Sequence, residues 1–184
     1  MVSVGQRMFE GMNSFALLAI PLYTFAGFIM SKGGISDRLM GFCYSLVGRF
    51  TGGLAHVNVL SSMIFAGISG SAVADTAGVS GMMMPEMVKK GYSKKLTVAV
   101  TAISSTIGII IPPSIPMVVI AGILGISTGK LFMGGILPGI LLGIAQMIVS
   151  YFLAKREGVP KEEEKFDMKV FLKYAWGSFP ALLM

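Results

Sequence analysis

The sequence has little charge and few of the side chains that build metal or redox centres. Charged residues make up 13% of its 184 residues, with one cysteine and one histidine. The single Cys43 excludes an internal disulfide and a thiolate cluster, and the single His56 excludes a histidine-based metal site within the chain. We therefore expect no cofactor.

Hydrophobic residues, in contrast, make up 54% of the chain, and the mean hydropathy is +0.77. Several uncharged runs reach the about 20 residues that a helix needs to cross a bilayer. The sequence predicts an all-α, polytopic membrane protein, with residues 1–184 in one integral membrane domain. The net charge of +6 is then a topology signal, and we expect no nucleic-acid partner. Because residues 179–184 end partway into an apolar segment, we expect the chain to be part of a longer protein.

The uncharged segments and the turns between them divide the chain into five predicted parts. An uncharged stretch around Pro21 predicts a re-entrant hairpin with its tip near this proline, although one kinked crossing is the alternative. The predicted parts are a hairpin at 14–33, a broken helix at 54–88, a helix broken by proline at 96–129, a transmembrane helix at 131–154 and a charged connector at 155–169.

The glycine-rich stretch Gly67–Gly81 organises the rest of the chain. It places the carboxylate of Asp75 between two uncharged half-segments, where insertion of an acidic group costs roughly 2.5–3.5 kcal/mol. Such a group is found facing a polar interior, and the flanking glycines predict a helix break that turns backbone carbonyls away from the helical ladder. Broken helices of this kind form ion and substrate sites in secondary transporters.

A second break is predicted near the centre of residues 96–129. Pro112, Pro113 and Pro116 lack N–H donors, so carbonyl groups one turn earlier lose their helical partners. At membrane depth these carbonyls must bond to protein, water or an ion. Pro112, Pro113 and Ser114 are therefore candidate binding residues, with a purely structural kink as the alternative.

Basic residues predict the topology. With one crossing each for residues 54–88, 96–129 and 131–154, nearly all lysines and arginines fall on one side of the membrane. Only Arg49 and Lys130 fall on the other side in this layout. The positive-inside rule then places Lys89–Lys95 and Lys155–Arg156 in the cytoplasm.

With these residues in view, the chain resembles the large permease subunit of tripartite ATP-independent periplasmic (TRAP) transporters, the DctM-like proteins. The order and approximate spacing of the matching stretches agree over nearly the whole chain. These stretches are Leu17–Leu22, Gly67–Ala77, Lys90–Tyr92, Ile111–Val118, Gly129–Phe132 and Gly135–Gly139.

The resemblance implies a fold of two inverted repeats, each with a re-entrant hairpin and a broken helix, of which this chain covers mainly the first. It implies Na⁺-coupled uptake, across the bacterial inner membrane, of a carboxylate-bearing solute such as a C4-dicarboxylate or a sugar acid. The implied partners are a small membrane permease subunit and a periplasmic solute-binding protein. The implied binding residues are Pro21, Ser69, Gly70, Ser71, Asp75 and Thr76, with Ser69, Ser71 and Asp75 as Na⁺ ligands.

Other interpretations of these residues remain open at this point. Asp75 is either a Na⁺ ligand or a cap for N–H groups freed at the break, and Ser69 and Ser71 could serve helix packing alone. The chain could also be another ion-coupled transporter of the same elevator type, or a scaffold without transport activity. An intramembrane serine protease would need His56 beside Ser69, although 13 residues of one helix separate them by about 20 Å.

Overall fold

The computed structural model describes an all-helical chain without β-strands among the described residues. Between residues 33 and 159 the chain forms six α-helices and one 3-10 helix. The helices are α1 Ile35–Val47, α2 Gly53–Ser69, α3 Ala72–Lys89, α4 Lys94–Ser105, the 3-10 helix Thr106–Ile109, α5 Ile115–Leu124 and α6 Thr128–Arg156. The described residues are 4–6, 21–22, 25, 29, 33–159, 168, 171–172 and 174–177.

The helices α2 and α3 fold back on each other as a helical hairpin. The amide of Asn58, near the start of α2, lies 3.5 Å from the sulfur of Met87, near the end of α3. A straight helix over the same 29 residues would separate them by about 43 Å. A β-carbon built on Gly78 would also lie 3.4 Å from the ring of Phe65. The single crossing that we expected for residues 54–88 is therefore wrong, because the chain reverses at its glycine-rich break.

The helix α4 runs beside this hairpin from its open end towards its tip. At the open end, Ser93 caps α4 and also donates a hydrogen bond of 2.7 Å to Glu157, which follows α6. The chain then continues through the 3-10 helix and an irregular segment into α5. Helix α4 begins beside the C-terminal end of α6, and α5 packs against the N-terminal half of α6. The chain therefore runs in one overall direction from α4 through α5, antiparallel to α6.

Among the described residues, only α6 is both long and apolar enough to cross a membrane on its own. It starts three residues before the predicted 131–154 because the hydroxyl of Ser127 caps it by accepting from Lys130 N–H. Much of its surface is exposed hydrophobic side chain, including Leu137, Leu141 and Phe152. Helix α6 therefore has the composition of a helix that faces lipid.

The reversal at the hairpin tip also moves Arg49 to a different end of the molecule. A β-carbon on Gly52 would lie 2.7 Å from that of Ala154, so the turn after Arg49 lies beside the end of α6. We expected Arg49 on the side opposite Lys155 and Lys89. This was wrong, because α3 returns alongside α2 and brings Lys89 back to the end of the helices where Arg49 lies. The loop at residues 125–127 and the first turn of α6, which contains Lys130, lie at the other end.

Candidate ion and solute site

The tip of the α2–α3 hairpin is built by Ser69, Gly70 and Ser71. Gly70 ends α2 with φ +60°, the left-handed conformation that favours glycine. Ser71 then starts α3 as an N-cap, because its hydroxyl accepts from Ala74 N–H at 3.4 Å. The hydroxyl of Ser69 folds over the tip and contacts the backbone N–H and carbonyl of Ser71, each at 3.4 Å.

The second break lies between the 3-10 helix and α5 and contains the Pro112–Pro113 pair. Ser114 starts α5 as its N-cap, accepting from Met117 N–H at 3.4 Å. The same hydroxyl donates to the carbonyl of Ile109 at 2.7 Å. The buried Ser114 hydroxyl therefore forms hydrogen bonds with residues on both sides of the break.

The structure brings these two breaks into direct contact. Ile115 N–H, at the start of α5, donates to the carbonyl of Gly70 at 3.1 Å. A β-carbon built on Gly70 would lie 2.6 Å from the carbonyl oxygen of Pro113, and one on Gly67 would lie 3.6 Å from that of Pro112. We call the hairpin tip Ser69–Ser71 together with the loop Pro112–Ser114 the junction.

Oxygen atoms from both sides are concentrated at the junction. No hydrogen bond from the described residues reaches the carbonyl oxygens of Pro112 or Pro113, and the Ser69 hydroxyl makes only long contacts. Neutral carbonyl and hydroxyl oxygens are suitable ligands for a hard cation. Within the described part of the chain there is no cluster of three His, Cys, Asp or Glu side chains that could hold a metal ion.

Asp75 lies one turn into α3 and points into the protein rather than into the junction loop. Its side chain is fully buried, and neither carboxylate oxygen has a hydrogen-bond partner among the described residues. The hydroxyl groups of Ser62 and Ser105 lie beside it but donate to Ser104 and to the carbonyl of Thr101. Because Ser71 is the N-cap of α3, the geometry does not support the capping role that we considered for Asp75.

Two of the candidate residues take no part in the junction as described. Thr76 is exposed on α3, and its hydroxyl donates to the carbonyl of Ala72 at 2.8 Å within the helix. Pro21 is helical and exposed, and most of the hairpin predicted for residues 14–33 lies outside the described residues. The structure thus joins six of the nine candidates and leaves Asp75 buried nearby.

A buried polar network that we did not predict connects the hairpin to α4. The amide of Asn58 donates to the hydroxyl of Thr101 at 2.7 Å and accepts from Ser104 at 3.2 Å. Ser62, one turn further along α2, donates to Ser104 at 3.1 Å and leads to Asp75. The spacing in the sequence could have indicated this network, since Asn58 and Ser62 are four residues apart on α2, Thr101 and Ser104 are three apart on α4, and each pair lies on one face of its helix.

The protease interpretation fails on geometry. His56 and Ser69 both belong to α2, near its two ends, and the helix between them does not fold back. The His56 ring nitrogen Nε2 instead lies 3.2 Å from the carbonyl of Thr51. The acyl-transfer dyad, which requires the two side chains in hydrogen-bond contact, is absent.

Comparison with known proteins identifies the family. A family model described as "Tripartite ATP-independent periplasmic transporter, DctM component" matches residues 1–184. The chain belongs to this family. It is therefore a TRAP large permease chain, part of a membrane transporter family and not an enzyme family. This confirms the family that the motifs indicated.

Three relatives show the range of this TRAP family. The sialic acid TRAP transporter large permease protein SiaM of Vibrio cholerae is 39% identical over 167 residues, covering 89% of this chain and 39% of that protein. The C4-dicarboxylate TRAP transporter large permease protein DctM of Vibrio cholerae is 38% identical over 181 residues, covering 96% and 40%. The isethionate TRAP transporter permease protein DctMQ of Oleidesulfovibrio alaskensis is 39% identical over 181 residues, covering 98% and 28%. The chain thus spans less than half the length of each relative.

Proposed function

We propose that the full-length protein carries out Na⁺-coupled uptake of an organic anion, and that the junction is one half of its ion and solute site. The observation that carries this proposal is the contact between the two helix breaks at Gly70 and Ile115. Two helix breaks that are distant in sequence meet there and bring carbonyl and hydroxyl oxygens close together. A transporter that binds an ion at membrane depth needs such irregular backbone.

The cation would be held by oxygens of the hairpin tip and of the proline break. Ser69 and Ser71 contribute hydroxyl and carbonyl oxygens from one side, and Pro112 and Pro113 contribute carbonyl oxygens from the other. These are hard, uncharged ligands of the kind that a weakly coordinated cation such as Na⁺ accepts. The residues present therefore fit the ion that the family resemblance implies.

Asp75 would supply the compensating negative charge. It lies four residues after the Ser71 cap, about 6 Å along the helix axis at 1.5 Å per residue. A buried carboxylate without a hydrogen-bond donor is unfavourable unless it takes up a proton or a cation lies nearby. We therefore assign Asp75 to stabilising the bound cation through its charge.

The solute is proposed to be an organic anion, with a carboxylate as the first expectation. Helices α3 and α5 both begin at the junction, so the partial positive charge of their N-terminal N–H groups favours an anion there. The names of SiaM and DctM indicate solutes that carry carboxylates, whereas isethionate carries a sulfonate. A C4-dicarboxylate or a sugar acid fits this chemistry.

The membrane arrangement follows from the charge distribution. We propose that the α2–α3 hairpin enters from the cytoplasmic side of the bacterial inner membrane, because its open end carries Lys89–Lys95 and adjoins Lys155–Arg156. The proposed assembly has a second, inverted repeat outside this chain, a small membrane permease subunit and a periplasmic solute-binding protein. The second repeat would supply the other half of the site.

The test is the sodium activation curve of the full-length permease, reconstituted in proteoliposomes with its small subunit and its binding protein. Asp75→Asn keeps the size of the side chain and one oxygen while it removes the charge. We expect a higher half-saturating sodium concentration at an unchanged maximal rate, and a larger loss for Asp75→Ala, which also leaves a cavity. Protein amounts are matched by immunoblot.

Glu86→Gln is the matched control, because Glu86 lies on the same helix but is exposed. It removes one negative charge from α3 and should leave the curve unchanged. An unshifted curve for Asp75→Asn would exclude a role of its charge in holding the cation. Uptake by the wild type that is independent of sodium would overturn the coupling itself.

A further inference from the structure

The proline break is enclosed by glycines on two sides. On one side lie Gly67 and Gly70 of the hairpin, next to the carbonyl oxygens of Pro112 and Pro113. On the other side lies α6, where the buried residues Gly135, Gly139 and Gly143 follow at intervals of four. Residues four apart lie on one face of a helix, so these three glycines form a single strip, which we call the α6 glycine strip.

Two members of the strip contact the residues that directly precede Pro112. A β-carbon on Gly135 would lie 2.5 Å from the backbone carbonyl oxygen of Ile110. One on Gly139 would overlap Cγ1 of Ile111, and one on Gly143 would overlap the sulfur of Met63, on α2. The first two glycines therefore face the loop that leads to the junction, whereas the third faces Met63 of the hairpin.

The three contacts differ in how easily the neighbour can move. The Ile110 oxygen is backbone, so an added methyl group at Gly135 has to displace the chain itself, although it also meets the end of the Met117 side chain. Cγ1 of Ile111 lies one bond from Cβ of a stiff, β-branched side chain, so its displacement passes to the backbone. Met63 is unbranched and can change rotamer.

We propose that Gly135 and Gly139 are positioning residues for the cation site. By allowing α6 to approach Ile110 and Ile111 closely, they set where the following carbonyl oxygens of Pro112 and Pro113 stand relative to the hairpin tip. This inference rests on the proposed sodium coupling. It gives Gly135 and Gly139 a role in placing the carbonyl oxygens of the proline break, in addition to the close helix packing that small residues allow.

The experiment uses the full-length reconstituted transporter and measures half-saturating sodium, maximal uptake rate and thermal unfolding. We expect Gly135→Ala and Gly139→Ala to raise half-saturating sodium about five- to tenfold, within the range by which substitutions outside a ligand set alter coupling. Gly143→Ala controls for tight packing of α6 away from the break. Gly134→Ala, where a β-carbon meets nothing within 4 Å, controls for the change of residue itself.

A second variant separates steric displacement from general destabilisation. Ile111→Ala removes the atoms that a methyl group at position 139 would overlap. The double variant Ile111→Ala/Gly139→Ala should therefore bring half-saturating sodium back towards that of Ile111→Ala alone. General destabilisation predicts instead that half-saturating sodium stays raised in the double variant, because the cavity left by Ile111→Ala lowers stability further.

The outcomes distinguish this inference from the function on which it rests. A sodium-dependent wild type with unshifted curves for Gly135→Ala and Gly139→Ala would overturn the positioning role and leave the coupling intact. Equal shifts for Gly143→Ala would overturn it as well, since the effect would then be one of packing. A wild type without sodium dependence would overturn both. If Gly139→Ala fails to accumulate in the membrane, recovery of accumulation and sodium affinity in the double variant supports the proposal, and failure overturns it.

Discussion

The two helix breaks of this permease chain use different backbone chemistry and have different effects on the direction of the chain. At the hairpin tip, Gly70 adopts a left-handed conformation, and α3 returns alongside α2. At the proline break the chain continues from α4 into α5 without reversal. Both breaks restart a helix with a serine cap, Ser71 in one case and Ser114 in the other.

The comparison shows that an interrupted helix does not by itself determine topology. Prolines remove N–H donors and interrupt the ladder, yet the chain on either side can keep its direction. A glycine with positive φ re-aims the chain, and packing between Phe65 and Gly78 then holds the two arms together. The hairpin tip can therefore meet the proline break inside the bundle.

The largest expected effect is on membrane topology. In a full-length protein carrying Cys43→Ala, single cysteines at Phe50 and Lys89, both exposed, should react with an impermeant thiol reagent from the same, cytoplasmic side. A cysteine at Ile126, which is exposed at the other end of the helices, should react from the periplasmic side. Labelling of positions 50 and 89 from opposite sides would restore the single crossing and remove the difference between the two breaks.

Substitution of Gly70 should eliminate transport. Gly70→Ala places a β-carbon in the left-handed region, at a cost of roughly 1–2 kcal/mol, and against the Pro113 carbonyl oxygen. We expect uptake by the reconstituted full-length transporter to fall below detection. Gly81→Ala on α3, where a β-carbon meets nothing within 4 Å, is the control and should transport normally. Normal uptake by Gly70→Ala would show that the tip does not need its observed geometry.

The polar network that attaches the hairpin to α4 should have the next largest effect. Asn58→Leu preserves volume but removes two buried hydrogen bonds, to the hydroxyls of Thr101 and Ser104, at a total cost of about 1–3 kcal/mol. Thermal unfolding of the purified protein measures this loss. Thr106→Val, which removes only a hydrogen bond within its own turn, should change stability by less than ~0.5 kcal/mol. Equal melting temperatures for Asn58→Leu and wild type would argue against a structural role of the network.

Substitution of the serine caps should have the smallest effects on stability and sodium affinity. Because each break has one such cap, the two substitutions compare the breaks directly. Loss of an N-cap costs about 0.5–2 kcal/mol of stability. The loss should be larger for Ser114→Ala than for Ser71→Ala, because the Ser114 hydroxyl also donates to the carbonyl of Ile109. Both should raise half-saturating sodium. Ser127→Ala, which removes the cap of α6 far from the junction, should lower stability only. A sodium shift in Ser127→Ala of the same size would show that the effect is global.

Much of the local structure can be understood from the sequence alone. Apolar runs determined that the chain is helical and belongs in a membrane, because backbone polar groups in lipid must be satisfied within the segment. Motifs such as Gly67–Ala77 and Ile111–Val118 indicated the TRAP family, which the family comparison then confirmed. Candidate residues at both breaks were visible as glycine, proline and serine, whose backbone preferences are local properties.

Only the tertiary structure decided how these parts are arranged. Glycine at a helix end permits either reversal or continuation, so local chemistry did not reveal that α2 and α3 form a hairpin, and we assigned one crossing instead. The contact between Gly70 and Ile115 and the network around Asn58 join residues more than forty positions apart. Their formation depends on packing among α2, α4 and α6, because long-range contacts follow from the shapes and burial of whole helices rather than from any one segment.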